Sequence, residues 1–79
     1  MDIPKYELDI KRHAFIRAMQ RGLNPDIIEN VLKGGKVKRF GKDYVKFTKK
    51  YKKFKVVCVG QICGTNIKIL TIEKEGEKK

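Results

Sequence analysis

The feature that most constrains the fold is a change of hydrophobic period at Gly34-Gly35. Before this glycine pair, apolar residues recur every three or four positions, which is the repeat of an amphipathic helix. After it, they alternate with polar residues, which is the repeat of a strand. A chain of 79 residues with one such change predicts a single small α+β domain, with its helices first and its strands second.

The N-terminal part predicts two helices joined by a tight corner. Asp9 is expected to cap a first helix over residues 10–21, which Gly22 ends by turning left-handed. Asn24 then starts a second helix, which has a proline at its first position and stops at the glycine pair.

The remaining residues predict a four-stranded antiparallel β-meander, with both helices packed on one face of the sheet. The strands have the sequences KVKRF, YVKFT, FKVVCVGQI and IKILTIE, and the turns between them are GKD, KKYKK and CGTN. The third strand is the longest and most apolar, and it is expected to be central. We therefore predict one domain over residues 1–79, with a core from about 9 to 73 and a flexible tail at 74–79.

Two sequence features predict an intracellular, cytoplasmic protein. No apolar run approaches the roughly 18 residues that a membrane-spanning helix needs. The N-terminal sequence MDIPKYELD also lacks the basic and then apolar order of a signal peptide.

The two cysteines predict neither a disulfide nor a metal site. On one continuous strand, Cys58 and Cys63 would lie about 16 Å apart at ~3.3 Å per residue, too far to be bridged. With a single histidine and no second cysteine pair, the chain does not supply the four ligands of a zinc site. We expect two reduced, core-facing thiols, no metal and no cofactor.

Positive charge is concentrated in one quarter of the chain. Residues 36–55 hold ten Lys and Arg residues against the single Asp43, a net charge of +9 out of +11 for the whole protein. Such a concentration repels itself in the folded state and is typical of proteins that bind polyanions. The alternative explanation is the lysine-rich composition of proteins from hot habitats.

The same segment interleaves its basic residues with aromatic ones. Lysines attract phosphates without regard to base sequence, and aromatic rings stack on unpaired bases. Phe40, Phe47 and Phe54 are expected in the core, as in ordinary strand packing. Tyr44 and Tyr51 are expected at the surface. The candidate nucleic-acid-binding residues are Lys38, Arg39, Lys42, Tyr44, Lys46, Lys49, Lys50, Tyr51, Lys52, Lys53 and Lys55.

His13, Arg17 and Arg21 follow one another at intervals of four on the first predicted helix. Four helical residues rise ~6 Å and turn about 40° past a full turn, so these side chains form one row beside the apolar stripe. Guanidinium groups can hold a phosphodiester, and an imidazole can move a proton near neutral pH. These three residues are therefore the candidate catalytic residues. The alternative is two solvated arginines, one of them at the negative helix end, and a histidine at the core boundary.

The order of these motifs resembles the domain of unknown function 4258 family. The matching pattern is His13-Ala14-x-x-Arg17-x-x-x-Arg21-Gly22-Leu23, then the helix DIIENVLKGG and a strand ending in ILTI, over roughly residues 10–72. That family is similar to the BrnT and RelE-like toxins, small basic proteins with helices on an antiparallel sheet. Several of these cut RNA without a metal.

The resemblance implies a division of roles among the candidate residues. His13 would transfer a proton, while Arg17 and Arg21 would hold the scissile phosphate and its developing charge. Tyr44 or a lysine of residues 36–55 would position the RNA.

Taken together, the sequence predicts a small basic nucleic-acid-binding protein that acts on RNA rather than DNA. Metal-independent, toxin-like endoribonuclease activity is its possible extension. One alternative is a non-catalytic module that only binds nucleic acid. Another is a protein whose basic surface is masked by an acidic, antitoxin-like partner.

Overall fold

The sheet of this protein has five strands, where the sequence predicted four. The computed structural model describes residues 6–76. Its elements are β1 (Glu7–Ile10), α1 (Arg12–Gln20), α2 (Pro25–Gly34), β2 (Lys36–Phe40), β3 (Tyr44–Lys50), β4 (Phe54–Cys63) and β5 (Asn66–Gly76). The strand order is β1-β5-β4-β3-β2, with β1 parallel to β5 and all other neighbours antiparallel. The predicted four-stranded antiparallel meander is therefore wrong, because the sheet is five-stranded and mixed.

The strand that the prediction missed is β1. Residues 6–10, YELDI, alternate apolar and polar side chains, which is the period of a strand. The structure pairs Leu8 with Ile67 and Ile10 with Ile69 in a parallel ladder. Asp9 therefore lies within a strand. The N-cap of α1 is the next residue but one, Lys11, whose side chain makes no capping hydrogen bond.

Helix α1 ends at the predicted corner. Gly22 adopts a φ of 85°, and its N–H donates to the Met19 carbonyl at 3.1 Å. The N–H of Leu23 donates to the Ala18 carbonyl at 3.0 Å, which completes a Schellman ending. The left-handed glycine turns the chain so that Leu23 enters the core, where it is buried.

Helix α2 confirms its predicted start and end. The Asn24 side chain accepts a hydrogen bond from the N–H of Ile27 at 2.8 Å, and Pro25 occupies the first turn. After the helix, Gly35 runs very close to two backbone carbonyls. A methyl group at Gly35 would lie 2.6 Å from the Val31 oxygen and 2.7 Å from the Thr48 oxygen. The absence of a side chain at this residue thus allows the end of α2 to sit directly against β3.

Both helices pack on the same face of the sheet and bury its core. The buried residues are Ala14, Ala18, Leu23, Ile28, Val31 and Leu32 from the helical part and Val45, Phe47, Val56, Cys58, Ile67, Ile69 and Ile72 from the strands. The helices are short, and within residues 6–76 none is long and apolar enough to cross a membrane.

Strand β5 extends beyond β1, the edge strand with which it pairs. It continues to Gly76, three residues past the predicted end, and residues 77–79 of the predicted tail lie outside the described part. Strand β1 pairs only with Asn66–Ile69. Within the described residues, the outer edge of β5 from Leu70 onward therefore has no neighbouring strand.

Candidate nucleic-acid interface

The two faces of the sheet carry different side chains. The helices cover one face, and no helix of the described chain packs on the other, which we call the open face. Directly paired residues share a face, so the strand register assigns its members. The open face includes Lys36, Lys38, Phe40, Tyr44, Lys46, Thr48, Lys50, Lys55, Val57, Val59, Gln61, Lys68, Thr71, Glu73 and Glu75.

Two pairs of lysines face each other directly on this surface. Lys38 pairs with Lys46 across β2 and β3, and Lys50 pairs with Lys55 across β3 and β4. Like charges in direct cross-strand pairs destabilise a sheet. Lys55 is partly compensated by Glu75, whose Oε1 lies 3.2 Å from the lysine Nζ. The open face therefore holds positive charge at a cost to folding.

Further lysines extend this positive surface at its ends and across its middle. Lys42 lies in the β2–β3 turn, and Lys52 and Lys53 lie in the β3–β4 turn at the opposite end of the sheet, all exposed. Lys36 and Lys68 also lie on the open face, although neither was among the predicted contact residues. For Lys36, the period-two alternation from Lys38 was a sufficient signal.

Two predicted contact residues lie on the helix-covered side instead. Arg39 pairs with Val45, and Lys49 pairs with Val56, both of which are core residues. Lys49 extends over Tyr51, with its Nζ 5.9 Å from the ring centroid. These two cations lie at the rim of the sheet rather than on the open face.

Two exposed aromatic side chains form a stacked pair at one end of the open face. Phe40 and Tyr44 are directly opposite each other across the β2–β3 turn. Their ring centroids are 5.6 Å apart, with an interplanar angle of 22°. Phe40 is 44% exposed and Tyr44 37%, whereas Phe47 is fully buried. The predictions for Tyr44 and Phe47 are confirmed, and the prediction of a core Phe40 is wrong because its cross-strand partner lies on the open face.

The candidate catalytic residues share one groove at the β5 edge of the sheet. His13, Arg17 and Arg21 are exposed and line this groove together with residues 70–73 of β5. Arg21 Nη1 donates to the carbonyl oxygen of Ile72 at 3.2 Å and to Glu73 Oε1 at 3.1 Å. The predicted row therefore exists, with its last member held against the free edge of β5.

This groove lies apart from the lysine pair Lys38–Lys46 of the open face. The groove lies at β5, on the side of α1, whereas the lysine pairs lie on β2, β3 and β4. Three strand spacings of ~4.8 Å, about 14 Å in all, separate β5 from β2. The structure brings His13, Arg17 and Arg21 together. Lys38 and Lys46 lie two to three strands away from them, whereas Lys55 lies on β4, next to β5, and is paired with Glu75.

Comparison with protein-family models, with curated proteins and with solved structures found no match to this chain. The resemblance to the domain of unknown function 4258 family therefore stays a prediction.

The cysteines lie on opposite faces of β4. Both thiols are free; Cys58 is buried and Cys63 is exposed. An odd separation of five residues puts two positions of a strand on different sides, so the prediction that both would face the core is wrong for Cys63. Burial raises the pKa of Cys58 to about 12. Within residues 6–76, no three His, Cys, Asp or Glu side chains lie close enough together to hold a metal ion.

Tyr51 is half-buried, contrary to the prediction that it would be exposed. Its ring packs against Phe54, with centroids 5.0 Å apart, and its hydroxyl is buried without a hydrogen-bond partner among the described residues. Desolvation raises the pKa of Tyr51, and the nearby Cys58 adds to the rise. Tyr51 is therefore a core-boundary residue rather than a surface for stacking bases.

Replacing Tyr51 by phenylalanine is expected to stabilise the protein by about 1 kcal/mol. The change removes a buried polar group that forms no compensating hydrogen bond and keeps the ring. Denaturant unfolding measures the difference, and Tyr44→Phe, which removes an exposed hydroxyl, is the matched control with no expected change. A less stable Tyr51→Phe variant would show that the hydroxyl has a partner.

Proposed function

We propose that this protein binds nucleic acid through the lysines of the open face and prefers RNA to DNA. The observation that supports this most directly is the position of Lys38 opposite Lys46. The phosphates of a bound strand would neutralise this repulsion and release their condensed counterions. Contacts of this kind are made to the backbone, so binding is expected to depend little on base sequence.

The distribution of carboxylates indicates which part of the open face a strand would occupy. Glu73 is paired with Arg21, and Glu75 is paired with Lys55, both on β5. Strands β2 and β3 contain no Asp or Glu. The nucleic-acid backbone is therefore expected to lie over β2 and β3. Ion-pair networks of the kind found in heat-adapted proteins would place carboxylates beside these lysines, and among residues 6–76 no salt bridge joins a lysine of β2 or β3 to a carboxylate.

Binding can be measured by fluorescence anisotropy with labelled single-stranded RNA and with DNA of the same sequence, over a series of salt concentrations. The logarithm of the binding constant should fall linearly with the logarithm of salt, by about 0.7 for each phosphate contacted. RNA is expected to bind more tightly, because its 2′-hydroxyl offers a further hydrogen-bonding group. If neither binds at about 100 mM salt, the proposal fails and an acidic protein becomes the partner of this face.

A second candidate function is metal-independent cleavage of RNA in the groove at β5. The observation that favours it is that exposed His13 and Arg17 line the same groove. In this mechanism, the imidazole of His13 takes the proton of a 2′-hydroxyl, whose oxygen attacks the adjacent phosphorus. The bond from phosphorus to the 5′-oxygen breaks, and the imidazolium returns the proton to that oxygen. The guanidinium of Arg17 stabilises the charge on the phosphoryl oxygens.

Incubation of the protein with mixed-sequence RNA in EDTA tests this second function. The expected products carry a 2′,3′-cyclic phosphate and a 5′-hydroxyl, and they should be lost in His13→Ala and Arg17→Ala. Lys33→Gln serves as the control, because this exposed residue of α2 neither lines the groove nor lies on the open face. If RNA is bound but remains intact, the cleavage function is refuted and the binding function remains.

A further inference from the structure

We propose that Phe40 and Tyr44 form a platform on which an unpaired base stacks, so that the protein selects single-stranded segments over duplex. The inference rests on the proposed function, since it places a base next to the phosphates held by the open face. It adds what the lysines do not provide, a means to distinguish a strand with accessible bases from any other polyanion.

The exposure of the two rings is the first observation that carries this inference. The fold buries Phe47 completely, yet it leaves Phe40 and Tyr44 among its most exposed large apolar side chains. Both lie on the open face beside the turn that contains Lys42. An exposed, nearly parallel ring pair presents the kind of surface that bases use to continue a stack.

The surroundings of the rings provide the partners that a stacked nucleotide needs. Lys38 and Lys46 lie two residues further along their strands, about 7 Å away at ~3.3 Å per residue. Gln61 is directly opposite Tyr44, and Lys68 is opposite Gln61. A base on the platform would therefore have lysines in reach of its flanking phosphates and an amide in reach of its edge.

This arrangement favours unpaired bases for a physical reason. In a duplex, each base is already stacked on its neighbours, so its face is not available to a protein ring. Stacking is tolerant of base identity, because every base has a π-face. The platform is therefore expected to distinguish single strands from duplexes without selecting a sequence.

The test compares three labelled probes in anisotropy titrations: oligouridylate, an abasic phosphodiester of the same length, and a duplex RNA. The wild-type protein should bind oligouridylate about tenfold more tightly than the abasic strand, within the range of one stacked base. Phe40→Leu/Tyr44→Leu should lose this tenfold preference and keep its affinity for the abasic strand. Leucine keeps the apolar contact across the hairpin but has no aromatic face.

Two control variants sharpen the result. Tyr44→Phe keeps both rings and should retain the preference, and Ile16→Ala removes an exposed apolar side chain from α1 and should change nothing. Equal wild-type affinity for oligouridylate and the abasic strand would refute base stacking on the platform, but it would not refute phosphate binding by the lysines of the open face. Loss of abasic binding in the leucine variant would also overturn it, by showing that the rings support the hairpin. Failure of all probes to bind would instead refute the proposed function.

Discussion

Replacing Lys38 and Lys46 together by glutamine is expected to weaken RNA binding by roughly 25-fold at about 0.1 M salt. Each phosphate contact with a single strand changes the logarithm of the binding constant by about 0.7 for a tenfold change in salt. Relative to about 1 M salt, where this electrostatic contribution is taken as zero, two lost contacts therefore give this factor at about 0.1 M. The slope of the salt dependence should fall by about 1.4. Anisotropy titrations of the wild type and the variant over one salt series provide both quantities.

The same variant should fold more stably than the wild type. Removal of a directly opposed like-charge pair is expected to add about 0.2–1 kcal/mol to the free energy of unfolding. Arg12→Gln/Lys33→Gln is the control, because it lowers the net charge equally but changes exposed residues of the helices. If the control weakens RNA binding as much as the lysine variant does, net charge rather than the open face determines affinity.

Gly35→Ala is expected to destabilise the protein by about 2 kcal/mol, which lowers Tm by about 10 °C in a domain of this size. The new methyl group would meet the carbonyl oxygens of Val31 and Thr48 at 2.6 and 2.7 Å. Both are backbone atoms of packed elements, so they cannot move aside as the end of a flexible side chain would. Thermal unfolding followed by circular dichroism measures the loss.

Gly34→Ala is the matched control for this prediction. Gly34 is the last residue of α2, and the nearest atom to a methyl group there is Lys49 Nζ at 3.7 Å, an ordinary contact. Alanine is also a better helix former than glycine, so this variant should be as stable as the wild type or slightly more so. Equal destabilisation at both glycines would show that the contact at Gly35 does not limit the packing of α2 on β3.

Local signals in the sequence were sufficient for α2 and insufficient for β1. Asn24, Pro25 and the glycine pair define α2 through contacts within a few residues, and each has the predicted role. The parallel partner of β1 lies more than fifty residues away in the chain, at Asn66–Ile69. The pattern of a four-residue strand is too short to predict such a distant partner. In addition, Asp9 is a residue type that is common at helix N-caps, so it favoured the wrong prediction of a helix start.

The candidate interface was predictable in its charge and only partly in its faces. The excess of lysine in residues 36–55 is a property of the sequence, but the register decides which lysines share a surface. A buried Phe40 and an exposed Tyr44 were incompatible predictions, because a three-residue turn between them makes them cross-strand partners. The row of His13, Arg17 and Arg21 followed from helical spacing. The contact of Arg21 with Glu73 did not, since 52 residues separate them.

Within residues 6–76, the part of β5 from Leu70 onward has no neighbouring strand, and this bears on self-association. A bare strand edge invites the corresponding edge of a second molecule to join it and begin aggregation. Arg21 donates a hydrogen bond to the carbonyl oxygen of Ile72 on this strand. The charged residues Glu73, Lys74 and Glu75 follow Ile72 in the sequence. One carbonyl group of this edge is thus already engaged in a hydrogen bond, and the charged residues beside it disfavour the approach of a second strand.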